Sequence, residues 1–572
     1  MLDILFLNLH RRYLNIEPTH GGFLGIYLLA AFTRSEGFES KSFAGSLERG
    51  KRYLDELCNA EAVSMIGLYC DYENVTENIF LSRYIKDQFK IPVIVGGPQA
   101  TALDEEFFRK SKCDAVVRFE GELTVLELMN FFLEDVGKLE KIHGISYLTS
   151  EGIQTNPDRK SIRNLDVLPF INEDCYLEPK QFYRGLSLMT GRGCPFHCAF
   201  CHEGSHTRAV RFRSVENILA EIDAYLEKWN GDDLTILFTD DTFTLDLTRV
   251  KEICVGLAER RKSYRFKWFC EGHVHTLFRN PEMIRDLAMG GCYRIQLGIE
   301  AGTSKVLQSY GKHSTPEEIF EVVKMCRDAC IEQIFGNIIL GGAHFSREIF
   351  EEDKKFAHDL IVESRGTVEI GTVTFWPLAE TRMTRSPEDF GIKIIDPEFV
   401  TSAGDFPQIE TTEIDRFEIN EMERELREFI EKQMLDMIAT WQIPTSRILS
   451  WFKNAHRYRG MWFATLRRDE ILFSYYEMLS IGEGFHSSQI EDLSSAHPMR
   501  VIALNLNLYR ESKSSIKIHG ESFVGIEIEI ILLTTGKLSV KEIAEHLDLT
   551  IDQVIEFLNQ LEDMHLIVYS KY

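Results

Sequence analysis

The chain has 572 residues, 44% of them hydrophobic, so it is long enough for several domains with their own cores. Its net charge of −25 disfavours nucleic acid and anionic lipid as partners. The longest apolar run, Gly22–Phe32, is too short to span a bilayer, no basic segment typical of a signal peptide opens the sequence, and twelve cysteines without disulfide-domain spacing suit a reducing compartment. We therefore expect a cytoplasmic protein that binds neither nucleic acid nor a membrane.

Residues 1–140 alternate short apolar runs with amphipathic stretches. This pattern is typical of an α/β domain with a doubly wound, Rossmann-like parallel sheet. The predicted elements are, in chain order, a strand at Leu2–Asn8, a helix at Phe23–Ser35, a strand at Val63–Tyr69, a helix at Asn78–Phe89 and strands at Pro92–Val95 and Ala115–Phe119.

Three glycine-containing turns follow these strands, at Thr19–Gly22, Gly96–Gln99 and Glu120–Glu122. Doubly wound sheets bind ligands beyond the carboxyl ends of their strands, so the turns are candidate ligand-binding segments. Tight-turn geometry alone also explains any one of them, and that alternative stays open. Residues 141–185 are predicted as a connector, with a hairpin about Glu151-Gly152.

Three cysteines, Cys194, Cys198 and Cys201, lie in a turn rich in Gly and Pro after a predicted buried strand at Leu186–Thr190. Three close thiolates without a fourth indicate a [4Fe–4S] cluster with one open iron, at the strand end where barrel enzymes place their chemistry. Two alternatives remain on spacing alone. The thiols could form a zinc site with His197 or His202 as the fourth ligand, or they could be buried thiols without a role.

The Cys194-x-x-x-Cys198-x-x-Cys201 motif, with the aromatic Phe200 before its last cysteine, resembles the signature of the radical SAM superfamily. The resemblance implies a partial (β/α)6 barrel over residues 186–391. It also implies that the three cysteines hold the cluster and that S-adenosylmethionine (SAM) chelates the open iron. Cleavage of SAM would then give a 5′-deoxyadenosyl radical that abstracts hydrogen.

The predicted barrel strands end in polar residues that match motifs of that superfamily. Asp240-Asp-Thr-Phe-Thr resembles the motif after strand two, Glu271 follows strand three, and Gly298-Ile-Glu300-Ala-Gly resembles the motif after strand four. His273 stands where relatives often have Arg, and helix capping by Asp241 or Asp246 is the alternative for the acidic pair. The resemblance assigns SAM-site roles to Phe200, Asp240, Asp241, Glu271, Glu300 and Trp376.

The N-terminal third is similar to the cobalamin-binding domain that precedes many radical SAM barrels, through Gly96-Gly-Pro-Gln-Ala100, Phe119-Glu-Gly-Glu122 and Ile162–Pro169. The Asp-x-His-x-x-Gly motif is absent, so we expect base-off cobalamin without a histidine ligand. Phe119 stands where relatives often have Gly. The residues expected at the corrin are His10, Tyr72, Gly96, Gly97, Gln99, Thr101, Gly121 and Glu122.

The C-terminal third changes to a helical pattern over residues 392–498, with a long amphipathic helix predicted at Glu413–Lys432. His456–Arg459 and Arg467-Arg468 are either a basic substrate-binding face or a solvated one. Over residues 499–572, predicted strands at Arg500–Leu508, Ser515–His519 and Leu566–Tyr569, a helix at Ile526–Leu533 and two capping boxes, Ser539–Glu542 and Thr550–Gln553, indicate a winged helix.

The second of these capped helices, Ile551–Asp563, contains no Lys or Arg, which disfavours DNA binding. The C-terminal segment also resembles peptide-recognition winged helices that bind a leader peptide by strand addition.

Together these patterns favour a cobalamin-dependent radical SAM methyltransferase. One SAM would methylate the cobalamin. A second would supply the radical that activates an unactivated carbon of a peptide or natural-product intermediate, and methylcobalamin would donate the methyl group. The expected partners are the substrate, a leader peptide and a reducing protein such as flavodoxin or ferredoxin. The alternatives are radical ring or crosslink formation without methyl transfer, and a cobalamin-sensing regulator.

Overall fold

The structure, a computed structural model, describes residues 1–10, 24–102, 105–202, 209–228, 234–396, 406–455, 460–501, 509, 511–512, 514–518 and 520–570. Two compact units make up the chain. The first comprises Met1–Leu360 and Ile370–Arg427, and the second comprises Ile361–Glu369 and Glu428–Tyr572. The predicted turn Thr19–Gly22, the basic segment His456–Arg459 and most of the predicted strand Arg500–Leu508 lie outside the described residues.

The first unit begins with a seven-stranded sheet in the order β2-β1-β3-β4-β5-β6-β7. Strands β1 to β5 pair in parallel, and β6 and β7 add an antiparallel edge. The strands are β1 Leu2–His10, β2 Ser40–Ser46, β3 Val63–Tyr69, β4 Val93–Gly96, β5 Ala115–Val117, β6 Ile145–Thr149 and β7 Gly152–Thr155. The predicted parallel sheet and hairpin are therefore present, and the hairpin extends the sheet beyond residue 140.

Helices alternate with the parallel strands of this sheet along the chain. They are α1 Leu24–Ser35, α2 Leu47–Asn59, α3 Val75–Gln88, α4 Glu105–Ser111 and α5 Glu122–Glu134. The sequence analysis missed β2 because Ser40–Ser46 consists mostly of small and polar residues. Its place beside β1 and the burial of Phe43 and Ala44 make it a strand.

The second sheet of this unit has six strands in the order β15-β14-β13-β12-β11-β8, as expected for an open six-stranded barrel. The pairs β8–β11, β11–β12, β12–β13 and β13–β14 are parallel. The strands are β8 Leu186–Leu188, β11 Leu234–Phe238, β12 Phe266–Gly272, β13 Cys292–Leu297, β14 Gln333–Leu340 and β15 Val368–Thr374. Strand β8 begins at its predicted residue, Leu186, and ends two residues before the predicted end at Thr190.

Two small hairpins of this unit were not predicted. One pairs β9 Gly191–Arg192 with β10 Arg211–Phe212, and the other pairs β16 Ile392–Ile394 with β17 Ile409–Thr411.

The helices that follow α5 are α6 Val215–Lys228, α7 Leu247–Arg260, α8 Val274–Arg279, α9 Pro281–Gly290, α10 Ser304–Ser309, α11 Pro316–Asp328, α12 Arg347–Ser364, α13 Arg382–Arg385 and α14 Arg416–Ala439.

The second unit is mainly helical, with α15 Thr445–Asn454, α16 Met461–Leu466, α17 Glu470–Ile481, α18 Ile526–Leu533, α19 Val540–Leu547 and α20 Ile551–Asp563. Its strands β18 His497–Arg500 and β21 Ile567–Ser570 pair with each other, as do β19 Ser515–Ile518 and β20 Glu521–Val524. Both predicted capping boxes are present, at Ser539–Glu542 and Thr550–Gln553. Among the described residues, no helix has the length and apolarity needed to cross a membrane.

A prediction concerns Gly97, which has φ of +113° and whose added Cβ would lie 2.5 Å from the Cys70 carbonyl oxygen. Gly37 has φ of +97° with no atom within 4 Å of its Cβ position, so Gly37→Ala isolates the backbone strain. We expect Gly37→Ala to lose about 1–2 kcal/mol of unfolding free energy. Gly97→Ala should lose a further ~1–3 kcal/mol from the clash. Urea unfolding measures both losses, and equal losses of unfolding free energy in Gly37→Ala and Gly97→Ala would contradict the predicted clash with Cys70.

Candidate functional site

The loop with the three cysteines leaves the barrel through the β9–β10 hairpin, which joins the two ends of residues 193–210. Gly191 is required in this hairpin because an added Cβ would lie 2.7 Å from the Phe212 ring. Among the described residues, Cys194, Cys198 and Cys201 take part in no disulfide, and all three are partly exposed within this loop. Burial raises the pKa of Cys198 above its usual value.

The middle of the cysteine loop is fixed by main-chain bonds to two distant segments. The Ala199 N–H donates to the Tyr310 carbonyl at 2.7 Å, and the Met383 N–H donates to the Ala199 carbonyl at 3.0 Å. The Phe200 ring lies edge-on to Tyr310, with centroids 5.0 Å apart. The middle of the loop is therefore held by contacts with two segments that are distant in the chain.

The donor set of the loop fits a [4Fe–4S] cluster with an open iron, because three cysteines outside any disulfide follow a barrel strand in one short segment. The zinc alternative required three or more ligands to converge on a single ion. Within the ranges that the structure describes, no such group of His, Cys, Asp or Glu is present, and this finding includes the three cysteines, so it does not separate zinc from a cluster.

Three acids predicted for the SAM site lie together at the carboxyl ends of the barrel strands. Burial raises the pKa of Glu271 to about 7, with further contributions from Asp241 and Glu300. The Gln296 side chain donates to Glu271 at 3.2 Å, and Asp241 accepts from the Gly193 N–H at 3.0 Å. A cluster of partly desolvated carboxylates is suited to a cationic ligand, since a cation favours their charged forms.

Asp240 has different surroundings from its neighbour Asp241. Its carboxylate accepts from the Thr190 N–H at 2.5 Å and from the Thr190 hydroxyl, and it lies 3.6 Å from Arg249. Burial raises the pKa of Asp240, and Arg249 opposes that shift. Asp240 therefore ties the end of β8 to the start of α7. Asp246 is the residue that caps α7.

Lys312 was not predicted from the sequence. It is buried and forms a 2.8 Å ion pair with Glu300, which has a positive φ of 62°. The carboxylate of Glu300 and the nearby thiols of Cys198 and Cys201 raise the pKa of Lys312 despite its burial. The cation also lies 5.8 Å from the centre of the Phe200 ring. Lys312 is thus the positive charge beside the cysteine loop.

His273, at the position where relatives often have Arg, stacks on Phe196 of the cysteine loop with ring centroids 3.6 Å apart. Burial, Lys312 and two neighbouring histidines lower its pKa to about 3, so the ring is neutral. The structure therefore assigns the positive charge of this region to Lys312. The predicted Trp376 follows β15 and is partly buried.

A cavity of about 330 Å³ lies over one face of the N-terminal sheet and reaches the cysteine loop. Its floor includes Phe6, Gly67 and Ile94, and one wall is formed by α1. The residues that the sequence predicted and that line the cavity are Gly96, Gly97, Thr101, Gly121, Glu122 and Asp241. Arg192, Gly193 and His202 close it from the barrel side. This volume is within the usual range of ligand pockets.

Three residues predicted at the corrin do not line this cavity. His10 is buried and lies 3.9 Å from Glu73, and Tyr72 is exposed. Gln99 lies behind the wall, where its side-chain oxygen is 3.4 Å from Nε2 of the cavity-lining His202. His10 contacts Glu73 and Tyr72 is exposed, and neither side chain is part of the cavity lining. Phe119 does line the cavity and has a φ of +62°, which explains why glycine suits this position.

The cavity also fits a flat, bulky group by its composition. Gly25, which lines the cavity, has no atom within 4 Å of its Cβ position, so the backbone is open to close approach there. Apolar side chains from β1, α1 and β5 complete the floor, while charged groups lie at the barrel side. The residues present could therefore hold a macrocycle between the sheet and the cysteine loop.

Comparison with known proteins agrees with this site. Residues 188–357 match the profile of the radical SAM superfamily. An uncharacterized methyltransferase of Pyrococcus horikoshii is 29% identical over 61% of this chain and 75% of its own length. An anaerobic magnesium-protoporphyrin IX monomethyl ester cyclase of Cereibacter sphaeroides is 26% identical over 46% of this chain, which spans only 44% of that enzyme.

Two solved structures share the fold at low sequence identity. TsrM of Kitasatospora setae, a radical SAM methyltransferase solved with cobalamin and a [4Fe–4S] cluster, has a TM-score of 0.56 at 17% identity and covers 71% of this chain and 78% of its own. OxsB, a cobalamin-dependent SAM radical enzyme solved with aqua-cobalamin, has a TM-score of 0.60 at 18% identity, with coverages of 99% and 81%.

The barrel strands β11 to β14 and the cysteine triplet lie within residues 188–357, the segment that matches the radical SAM superfamily. The relatives of the chain include a protein named as an uncharacterized methyltransferase.

A pH prediction concerns Asp353, which accepts from the Gly302 N–H at 2.6 Å behind the Gly-Ile-Glu motif. Burial raises its pKa to about 7. A raised folded-state pKa gives stability that is complete below the unfolded pKa of about 4 and is lost as pH rises through about 7. Asp353→Asn keeps an acceptor without the charge, so we expect it to gain stability relative to wild type between about pH 5 and pH 8.

The measurement is the shift of the urea midpoint at each pH, with Asp359→Asn on the same helix as the control. A stability difference between Asp353→Asn and wild type that does not change with pH would contradict the buried, protonated carboxyl.

Proposed function

We propose that the chain is a cobalamin-dependent radical SAM methyltransferase that methylates an unactivated carbon of a peptide or natural-product substrate. The observation that carries this proposal is the cavity, which is lined by the glycine turns of the N-terminal sheet and also by Arg192 and Gly193 of the cysteine loop. A corrin in this cavity would lie beside the three cysteines. The cobalamin and cluster bound to TsrM, and the methyltransferase names among the relatives, support the same assignment.

When bound, the cluster and SAM would supply an adenosyl radical, and the corrin would supply a transferable methyl group. The residues of this chain would bind and orient these groups. Asp241, Glu271 and Glu300 offer carboxylates for the SAM ammonium, and Lys312 offers a cation for the SAM carboxylate. Phe196 and the neutral His273 fill the space beside the loop and exclude water from it.

The substrate would enter at the carboxyl ends of the barrel strands. The hairpin β19–β20 of the second unit is a candidate edge for an extended leader peptide, because its strands pair only with each other among the described residues. Reduction of the cluster would need a reducing protein such as flavodoxin or ferredoxin.

A second candidate is a radical enzyme that forms a ring or crosslink without methyl transfer. The match that favours it is OxsB, which covers 99% of this chain and is described as a radical enzyme and not as a methyltransferase. The cyclase among the relatives points the same way. Product analysis separates the two candidates.

For the proposed function, we expect anaerobically reconstituted protein to hold iron, sulfide and one corrin per chain. With SAM and a strong reductant it should release both S-adenosylhomocysteine and 5′-deoxyadenosine. Cys198→Ala should reduce both products to background, because it removes one of three thiolates, whereas Cys330→Ser at an exposed cysteine should not. 5′-Deoxyadenosine without S-adenosylhomocysteine would favour the second candidate, and zinc in place of iron would exclude both.

SAM affinity should depend on pH through Glu271. Its pKa of about 7 means that the carboxylate, which attracts the SAM ammonium, is largely formed at pH 8 and largely protonated at pH 6. We expect SAM to bind about tenfold more tightly at the higher pH. In Glu271→Gln this dependence should be lost, and the exposed Glu282→Gln should behave as wild type. Equilibrium dialysis of cluster-loaded protein measures the SAM affinity at each pH. A pH dependence in Glu271→Gln equal to that of wild type would argue against an interaction of Glu271 with the SAM ammonium.

A further inference from the structure

The residues that flank the three cysteines contact the walls of the cavity on both sides. Before Cys194, Arg192 bonds the Glu122 carboxylate and lies 3.4 Å from Glu120. After Cys201, Nε2 of His202 lies 3.4 Å from the side-chain oxygen of Gln99. Both ends of the cysteine segment are thus tied to the turns that follow β4 and β5.

The first of these contacts belongs to a neutral quartet of charges, formed by Glu120, Glu122, Arg192 and Arg211. Arg211 donates to Glu120 at 2.5 Å, and each of the four side chains is more than four-fifths buried. Glu120 also accepts from the Ile162 N–H at 2.9 Å, so the connector joins the same network. Because each buried charge depends on its partners, a displacement of one of these side chains leaves the other buried charges incompletely compensated.

A third contact joins the start of the cysteine loop to the segment after β11. Asp241 accepts from the Gly193 N–H at 3.0 Å, and both residues line the cavity. The residue before the first cysteine and the residue after the last are therefore part of the cavity wall. A change in the position of the loop moves that wall, and a group that fills the cavity restrains the loop.

We propose that Glu120 and Gln99 are positioning residues that couple the two cofactor sites, so that the cluster in the cysteine loop and the corrin in the cavity bind cooperatively. This coupling rests on the proposed function, because it needs both groups. Whichever group binds first orders the shared wall of the cavity and the loop. The group that binds second contacts a wall that is already ordered, so it binds more tightly. Linkage then requires each group to raise the affinity for the other by the same factor.

The experiment measures binding of hydroxocobalamin by absorbance to the full chain, with and without its reconstituted cluster. We expect the cluster to increase the affinity of wild-type protein by about fivefold or more. The ratio of the hydroxocobalamin affinity with the cluster to the affinity without it should fall toward one in two variants. Glu120→Gln unbalances the quartet, and Gln99→Met removes the contact to His202. The control is Arg260→Gln, which removes the Arg260–Asp223 ion pair on the barrel helices and should keep the wild-type ratio.

Gln99→Met changes no charge, so it carries the test if Glu120→Gln does not fold. A cluster-dependent affinity ratio close to one in either folded variant supports the coupling. A ratio of one in wild-type protein that binds both groups, or a wild-type ratio in both variants, would overturn the coupling and leave the proposed function intact. Wild-type protein that binds no corrin in either state would overturn the proposed function itself.

Discussion

Parallel strands direct their carboxyl ends to one edge of a sheet, and the first unit brings two such edges to a single cavity. One edge carries the glycine turns after β4 and β5, and the other carries the cysteine loop after β8 and the acids after β11 and β12. The buried contacts between Arg192 and the two glutamates hold these edges together. The position of every other functional group follows from this junction, since the cavity and the cysteine loop share a wall.

The charges at the junction are arranged so that an anionic and a cationic group can be bound side by side. Lys312 lies next to the cysteine loop and forms an ion pair with Glu300. Asp241 and Glu300 are close enough to Glu271 to raise its pKa. The raised pKa of Glu271 is the consequence of its burial close to the carboxylates of Asp241 and Glu300. His273 stays neutral, which avoids a second buried cation beside Lys312. This balance suits a zwitterionic cofactor such as SAM.

Local patterns predicted the parts of the fold whose signal lies within a short segment. The barrel strands, the parallel N-terminal strands and both C-terminal capping boxes carry such signals, and the structure confirms them. The quartet could not be predicted, because Arg192 and Glu122 are 70 residues apart in the chain and Arg211 and Glu120 are 91 apart. Strand β2 lacks an apolar run, and Lys312 follows a helix in a segment whose composition suggests only a turn. For the corrin, the glycine motifs predicted part of the cavity wall, whereas His10 and Tyr72 do not line the cavity.

The most direct test of the central claim is whether a corrin and a cluster occupy adjacent parts of one site. Electron paramagnetic resonance of reconstituted protein, with the corrin cobalt and the cluster both in paramagnetic states, reports the magnetic interaction between them. Our account predicts splitting or broadening of both signals that disappears when either group is left out. Two fully additive spectra from protein that contains both groups in stoichiometric amounts would contradict it.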